Sequence, residues 1–241
     1  MISFIVPAYN EEALLGRTLE ALTDAGSALG EPFEIVVADD ASTDRTVEIA
    51  RAHGTRVITV HNRQIAATRN AGARAARGEL LLFVDADTVV SRAVVRGAVE
   101  AMRAGAAGGG SGLEFDGAIP LYGRLLRGTL MPLYRLFGLA SGSFLFCTRQ
   151  AFEATGGFEE ALFAAEELAM SRALHRQGRF VVLRASVTTS GRKLRTYTAR
   201  ELLGLLARLA LSGRKSVERR NGLEAWYGER RPDPGLRNDG S

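Results

Sequence analysis

Leu80-Leu81-Leu82-Phe83-Val84-Asp85-Ala86-Asp87 is the stretch whose reading decides the fold. Five apolar residues in a row after Gly78-Glu79 read as a strand buried on both faces, and such strands belong to parallel sheets covered by helices. The run ends in two carboxylates. In open parallel sheets, ligands bind beyond the C-terminal strand ends. An i, i+2 carboxylate pair at a turn aims both groups at one point. That suits a hard cation such as Mg²⁺ or Mn²⁺, which takes a few carboxylate oxygens plus phosphate and water.

Outward from this strand, the first 90 residues alternate strand and helix signals. Ile2–Val6 is an apolar run closed by Pro7, and Glu11–Thr23 sets Leu14, Leu15, Leu19 and Leu22 on one helical face. Phe33–Ala38 is a second strand running into Asp39-Asp40-Ala41-Ser42-Thr43-Asp44, with Ser42 or Thr43 expected to cap the next helix. Arg56–Val60 is a third strand, and Gln64–Arg77 a helix stopped by Gly78. The pattern predicts a single α/β domain, Rossmann-like, with a mostly parallel sheet flanked by helices. Further on, Ser91 is placed to cap a helix over Ser91–Arg103, and Gly105–Gly112 reads as a flexible connection. Leu121–Leu139 reads as a helix with breaks at Gly128 and Pro132. Ser143–Cys147 and Phe180–Leu183 read as strands, and Glu166–Gln177 and Ala199–Leu211 as helices.

Composition narrows the class. The 241 residues are 46% hydrophobic and 24% charged, enough for a sizeable core and against wholesale disorder. Cys147 is the single cysteine, so an intramolecular disulfide and a multi-cysteine metal site are both excluded. No basic region precedes the first apolar run, and no window of about 18 residues is apolar enough to span a bilayer. A soluble, cytoplasmic protein is expected. The basic residues comprise 29 arginines, Lys193 and Lys215, and from Arg179 onward the chain is net +8 against −4 before it. This asymmetry fits either a solvated arginine surface or peripheral contact with the inner membrane face. Leucines and arginines alternate through Leu121–Leu139 and Ala199–Leu211, which fits an interfacial helix as well as one packed on the sheet. Nucleic-acid binding is not expected, since no recognition module or aromatic platform accompanies the charge.

Four ordered motifs now bear on function: Val6-Pro7-Ala8-Tyr9-Asn10-Glu11-Glu12, Val36-Val37-Ala38-Asp39-Asp40-Ala41-Ser42-Thr43-Asp44, Arg69-Asn70-x-Gly72, and Phe83-Val84-Asp85-Ala86-Asp87. Together they resemble the successive signatures of family 2 glycosyltransferases, over roughly residues 2 to 190. The resemblance implies the GT-A fold, a nucleotide-diphosphate-sugar donor, a divalent metal (Mn²⁺ or Mg²⁺), and inversion at the anomeric carbon. It implies that residues 1–104 form the nucleotide-sugar half and 105–220 the acceptor half, followed by a charged tail over 221–241. Pro7, Ala8, Tyr9 and Glu11 would line the donor site, with Asp40 on the uracil N–H of a UDP-sugar and Arg69 on the same wall. Asp85 and Asp87 would bind donor and metal, with Asp87 the more direct ligand.

Gly156-Gly157-Phe158 resembles the family's acceptor-side turn, followed by the acidic pair that holds the catalytic base. The family usually has Glu-Asp where this chain has Glu166-Glu167. Glu167 occupies the Asp position, with Glu166 the alternative base. The Gln-x-x-Arg-Trp signature of processive synthases is absent, so one sugar per encounter is expected. In its place Thr189-Ser190-Gly191-Arg192-Lys193 is either a surface turn or a clamp in which Arg192 and Lys193 meet the diphosphate. The acceptor could be a glycan, a lipid-linked sugar or a small molecule. Two rival readings are a nucleotide-sugar-binding protein with little catalysis, and a phosphatase of the haloacid dehalogenase type. The latter rests on Asp85-Ala86-Asp87-Thr88-Val89. His53, His61 and His175 lack ligand spacing, and Trp226 reads as cover for an apolar patch.

Overall fold

The computed structural model describes residues 1–202, 204 and 233. Most of the helix expected over Ala199–Leu211, the domain limit at 220, Trp226 and all of the expected tail but Asp233 lie outside them. Eight strands make one sheet: β1 (Ile2–Ala8), β2 (Phe33–Asp39), β3 (Arg56–Thr59), β4 (Leu80–Val84), β5 (Thr88–Val89), β6 (Ala106–Phe115), β7 (Phe144–Thr148) and β8 (Arg179–Thr189). Their order is β3-β2-β1-β4-β7-β6-β8-β5. β1, β2, β3 and β4 are mutually parallel, as are β6 and β8, whereas β7 runs antiparallel to β4 and β6, and β5 to β8.

Period-2 alternation sorts the core into two layers. Phe4, Val6, Leu82 and Val84 face Leu15, Leu19 and Leu22 of α1 (Leu15–Ser27) and Val94, Val95, Ala98 and Val99 of α4 (Arg92–Arg103). Ala50 of α2 (Thr46–Ala52) joins that layer. Ile5, Val36, Leu81 and Phe83 face the other way, against α3 (Ile65–Ala75), α6 (Arg149–Thr155) and α7 (Glu166–Gln177). Each valine, leucine, isoleucine or phenylalanine among them contributes about 1.5–3 kcal/mol on burial. Gly72 sets the depth of α3: a Cβ there would lie 2.5 Å from Ile5 Cγ2, so only glycine lets the helix approach β1 this closely.

Several expectations are corrected. Gly105–Gly112 is not a flexible connection, because it supplies most of β6, an interior strand. Glycine serves there because a Cβ has no room. At Gly108 it would lie 2.7 Å from the Phe146 carbonyl and at Gly110 2.5 Å from Ala140 Cβ, and at Gly109 it would overlap the Val181 carbonyl and the Phe146 ring. α5 (Leu121–Leu136) runs unbroken through Gly128 and Pro132, both on its exposed side, where water can serve the backbone group that the proline ring leaves unpaired. α1 begins at Leu15, so Glu11 and Glu12 precede it. Neither Ser42 nor Thr43 caps α2, whose N-cap is Arg45. They bind Asn10 instead: its N–H donates to Ser42 Oγ (2.9 Å) and its Oδ1 accepts from Thr43 N (2.8 Å). Ser91 does cap α4, accepting from Val94 N.

Candidate active site

The C-terminal ends of β1, β2 and β4 open into one cleft of about 790 Å³ counted out to its mouth. Pro7, Ala8, Tyr9, Glu11, Asp40, Asp85, Asp87 and Lys193, all expected from the sequence, line it. Arg63, Gln64, Ile65 and Thr68 also line it, and sequence reading passed over them. The signal was available, because they follow β3 at the same sheet edge. The Arg63 guanidinium lies 3.7 Å from the centre of the Tyr9 ring, inside cation–π range.

Asp40 is buried and well supplied with donors. Its Oδ1 accepts from Asn62 N (2.7 Å) and Arg63 N (2.9 Å), and its Oδ2 from Gln64 N (3.2 Å) and Thr68 Oγ1 (2.9 Å). Four donors match a carboxylate's four lone-pair sites, so a base N–H must share or displace one. Asp39, also buried, accepts from Ser42 N in its own turn.

Arg69 does not line the cleft wall where it was expected. Fully buried on α3, it donates through Nη1 to Glu166 Oε1 (2.7 Å) and through Nη2 to Asp85 Oδ1 (2.7 Å) and the Gly142 carbonyl (2.9 Å). It thus joins the strand-end aspartate to the glutamate pair opening α7. Glu166 is buried in that ion pair. Glu167 is half-buried beside Gly142, where an added Cβ would stand 3.7 Å from Glu167 Oε1. Burial first, then the neighbouring Glu166 charge, pushes the Glu167 carboxyl up to about 8, against the opposing pull of Arg69. Two buried polar atoms of this cluster, Arg69 Nε and Ser141 Oγ, have no hydrogen-bond partner among the described residues. Such orphans cost about 1–3 kcal/mol each and suit a water or a substrate hydroxyl.

The segment Thr189–Lys193 is not a surface turn, since Ser190 and Arg192 are buried. Arg192, at the start of α8 (Arg192–Thr196), grips Glu11 with both terminal nitrogens (3.3 and 3.1 Å) and lies 3.9 Å from Asp87 Oδ2. Asp87 Oδ1 accepts from Thr189 Oγ1 at 3.2 Å. No group of three or more His, Cys, Asp or Glu able to hold a metal occurs among the described residues. Asp87 and Asp85 supply the carboxylates here, and this donor set fits a hard cation completed by substrate phosphate oxygens rather than one caged by protein alone. His53 and His175 are spent on backbone carbonyls of Ile49 and Gly138, away from the cleft. The Cys147 thiol is buried in the core and its pKa is raised by that burial, so it is chemically quiet. No helix among the described residues is long and apolar enough to cross a membrane.

Comparison with known proteins agrees with this arrangement. Residues 3–143 match the family model described as glycosyl transferase family 2. A validoxylamine A glucosyltransferase of Streptomyces hygroscopicus subsp. jinggangensis is 42% identical over 91 residues, which are 35% of this chain and 21% of that enzyme. The match therefore spans about a fifth of that relative's length. Among solved structures, S. aureus TarS 1-349 in complex with UDP-GlcNAc superposes with a TM-score of 0.63 at 21% identity, covering 90% of this chain and 69% of its own. The mannosyltransferase PcManGT of Pyrobaculum calidifontis, in complex with GDP-Man and Mn²⁺, gives 0.65 at 19%, covering 87% and 61%. These likenesses establish the GT-A fold and remove the phosphatase reading, and with the match over residues 3–143 they show that the chain belongs to glycosyl transferase family 2.

Proposed function

We propose that this chain moves one sugar from a nucleoside-diphosphate sugar, a UDP-sugar in the first instance, to an acceptor hydroxyl with inversion of the anomeric carbon. The observation that carries this reading is the Asp85–Arg69–Glu166 bridge. The bridge ties the start of α7, where Glu167 adjoins Glu166, to the strand end, and Asp87 and Lys193 line the cleft there with Arg192 3.9 Å from Asp87 Oδ2.

Pro7, Ala8 and Tyr9 form the base wall, and Asp40, through its four donors, holds the 62–64 turn that completes it. Asp87, assisted by Asp85, holds the divalent ion, Mn²⁺ or Mg²⁺. That ion, when bound, neutralises charge growing on the departing diphosphate. Lys193 lies in the cleft as a second cation for the same charge, and Arg192 keeps Glu11 and Asp87 in place. Glu167, as the carboxylate, takes the acceptor hydroxyl proton as that oxygen bonds to the anomeric carbon and the bond to the diphosphate breaks. Glu166 is already committed to Arg69, which leaves Glu167 as the group free to accept a proton. Arg69 holds Glu166 and Asp85 in place through its hydrogen bonds to both.

For the acceptor, an exposed apolar pair one turn apart on α5, Leu121 and Leu125, with Arg124 exposed between them, favours a lipid-linked molecule met at an anionic membrane surface. Sedimentation with anionic vesicles at low salt tests that part; no binding there refutes it. The transfer reading is tested by a thermal-shift panel of nucleotide sugars with and without Mn²⁺, followed by product analysis. A donor at about 100 times its dissociation constant raises stability by about 2.7 kcal/mol. Metal-dependent stabilisation without sugar transfer or slow donor hydrolysis would identify a binding protein instead.

A further inference from the structure

The segment from Gly156 to Ala165 joins α6 to α7 without regular secondary structure and delivers Glu166 and Glu167 to the site. Its shape is therefore set by tethers rather than by its own ladder of hydrogen bonds. The backbone reflects this: Gly156 and Gly157 have φ of +78° and +82°, and Ala165, just before Glu166, has φ +62°, a conformation an alanine keeps only when neighbours impose it.

Two tethers come from α3 and its N-cap residue. Asn70 on α3 accepts from Phe158 N (2.8 Å) and donates to the Phe158 carbonyl and Glu160 Oε1 (both 2.9 Å). One turn and a half earlier, Gln64 donates its side-chain amide to the carbonyls of Glu160 and Leu162, the latter at 3.0 Å. Carbonyls only accept, so the amide nitrogen of Gln64 must face them, and both of its N–H groups are used on this one loop.

Gln64 also faces the other way. Its backbone N–H donates to Asp40 Oδ2, and its carbonyl and Asp40 Oδ2 both lie 2.9 Å from Thr68 Oγ1 and share that hydroxyl's single hydrogen. Gln64 is buried and lines the nucleotide cleft. One residue thus contacts the carboxylate of the base wall through its backbone and the acceptor-side loop through its side chain. A base that draws on Asp40 Oδ2 competes with the Gln64 N–H, and any adjustment there is carried through about one side-chain length to Glu160 and Leu162.

We propose that Gln64 is a positioning residue that couples occupancy of the nucleotide cleft to the conformation of the 157–165 loop, and so to the placement of Glu167. The inference rests on the reading of the cleft as a nucleotide site, and the test separates the two. Amide hydrogen exchange is followed in the full chain with UDP or GDP plus Mn²⁺, comparing the 60–68 and 157–165 segments. In the unaltered protein, nucleotide should slow exchange in both, by about tenfold in the loop, within the ordinary range of coupling between sites.

Gln64→Glu keeps the shape but presents acceptors to two carbonyls. At saturating nucleotide it should keep the protection at 60–68, while loop protection is lost. Gln64→Met, which lacks both donors without adding charge, should behave the same and serves if the glutamate variant does not fold. Loop protection that persists in the folded variant, or protection confined to 60–68 in the unaltered protein, overturns the coupling alone. No protection by either nucleotide anywhere overturns the nucleotide-site reading, and the coupling with it.

Discussion

Replacing Arg69 with methionine tests the central bridge directly. Methionine fills much of the same volume but supplies none of the three hydrogen bonds to Glu166, Asp85 and the Gly142 carbonyl. The two ion pairs differ in weight. The Glu166 side chain is 6% exposed and that of Asp85 26%, so water can partly replace arginine at Asp85 but hardly at Glu166. Removing one partner of a buried pair costs about 3–5 kcal/mol, chiefly because the other charge is stranded. For a domain of this size that amounts to a fall of about 6–20 °C in melting temperature, at about 2–4 °C per kcal/mol. Two further signatures follow. Glu166→Gln added to Arg69→Met should recover a large part of the loss, because the stranded charge is gone. The penalty should also shrink as pH falls, since stranded carboxylates have raised pKa values in the folded state and folding is then favoured by protonation. The assay is urea unfolding followed by circular dichroism for the four corners of the cycle, at pH 5 and pH 8. A cycle that is additive within about 0.5 kcal/mol, or Arg69→Met within about 1 kcal/mol of the parent, would refute the bridge as a stabilising and orienting element.

Glu167→Gln should keep nucleotide binding and lose about 10²–10⁴ in turnover, whereas Glu166→Gln losing turnover instead would move the base back by one residue. With the Glu167 carboxyl near 8, kcat/KM should rise with pH to a midpoint near that value. Because this pKa is raised from 4.5, the folded parent loses stability between about pH 4.5 and 8 relative to Glu167→Gln, so the variant's melting-point advantage should grow over that window; a constant difference would contradict the shift. Asp87→Ala should abolish Mn²⁺-dependent nucleotide binding while Arg192 keeps its two bonds to Glu11 and the melting point stays within a few degrees; equal nucleotide affinity in EDTA would count against Asp87 as the metal ligand. Gly109→Ala forces a Cβ into the Val181 carbonyl and the Phe146 ring and should cost about 3 kcal/mol or more; a neutral change would mean that β6 is not packed as described.

The first four strands and three helices were legible in the sequence because their cause is local: apolar runs of strand length, helical stripes, and carboxylates standing where the strands end. Pro7, Ala8, Tyr9, Glu11, Asp40, Asp85 and Asp87 share one cleft, since parallel strands that start together bring their C-terminal ends together. The sequence alone could not show that Gly108, Gly109 and Gly110 form an interior strand. Glycine carries no strand signal of its own, and its use there comes from Phe146, Ala140 and Val181, which are distant in the chain. For the same reason Arg69 looked like a wall residue. Its charge could be read in the sequence, but its partners Glu166 and Gly142, 97 and 73 positions away, could not. Residue type and spacing determined which groups stand at the sheet edge. Which of them neutralise one another, and which residues tie the cleft to the 157–165 loop, were decided only when tertiary packing brought α3 and α7 against the strand ends, because burial and charge pairing depend on neighbours that sequence separation hides.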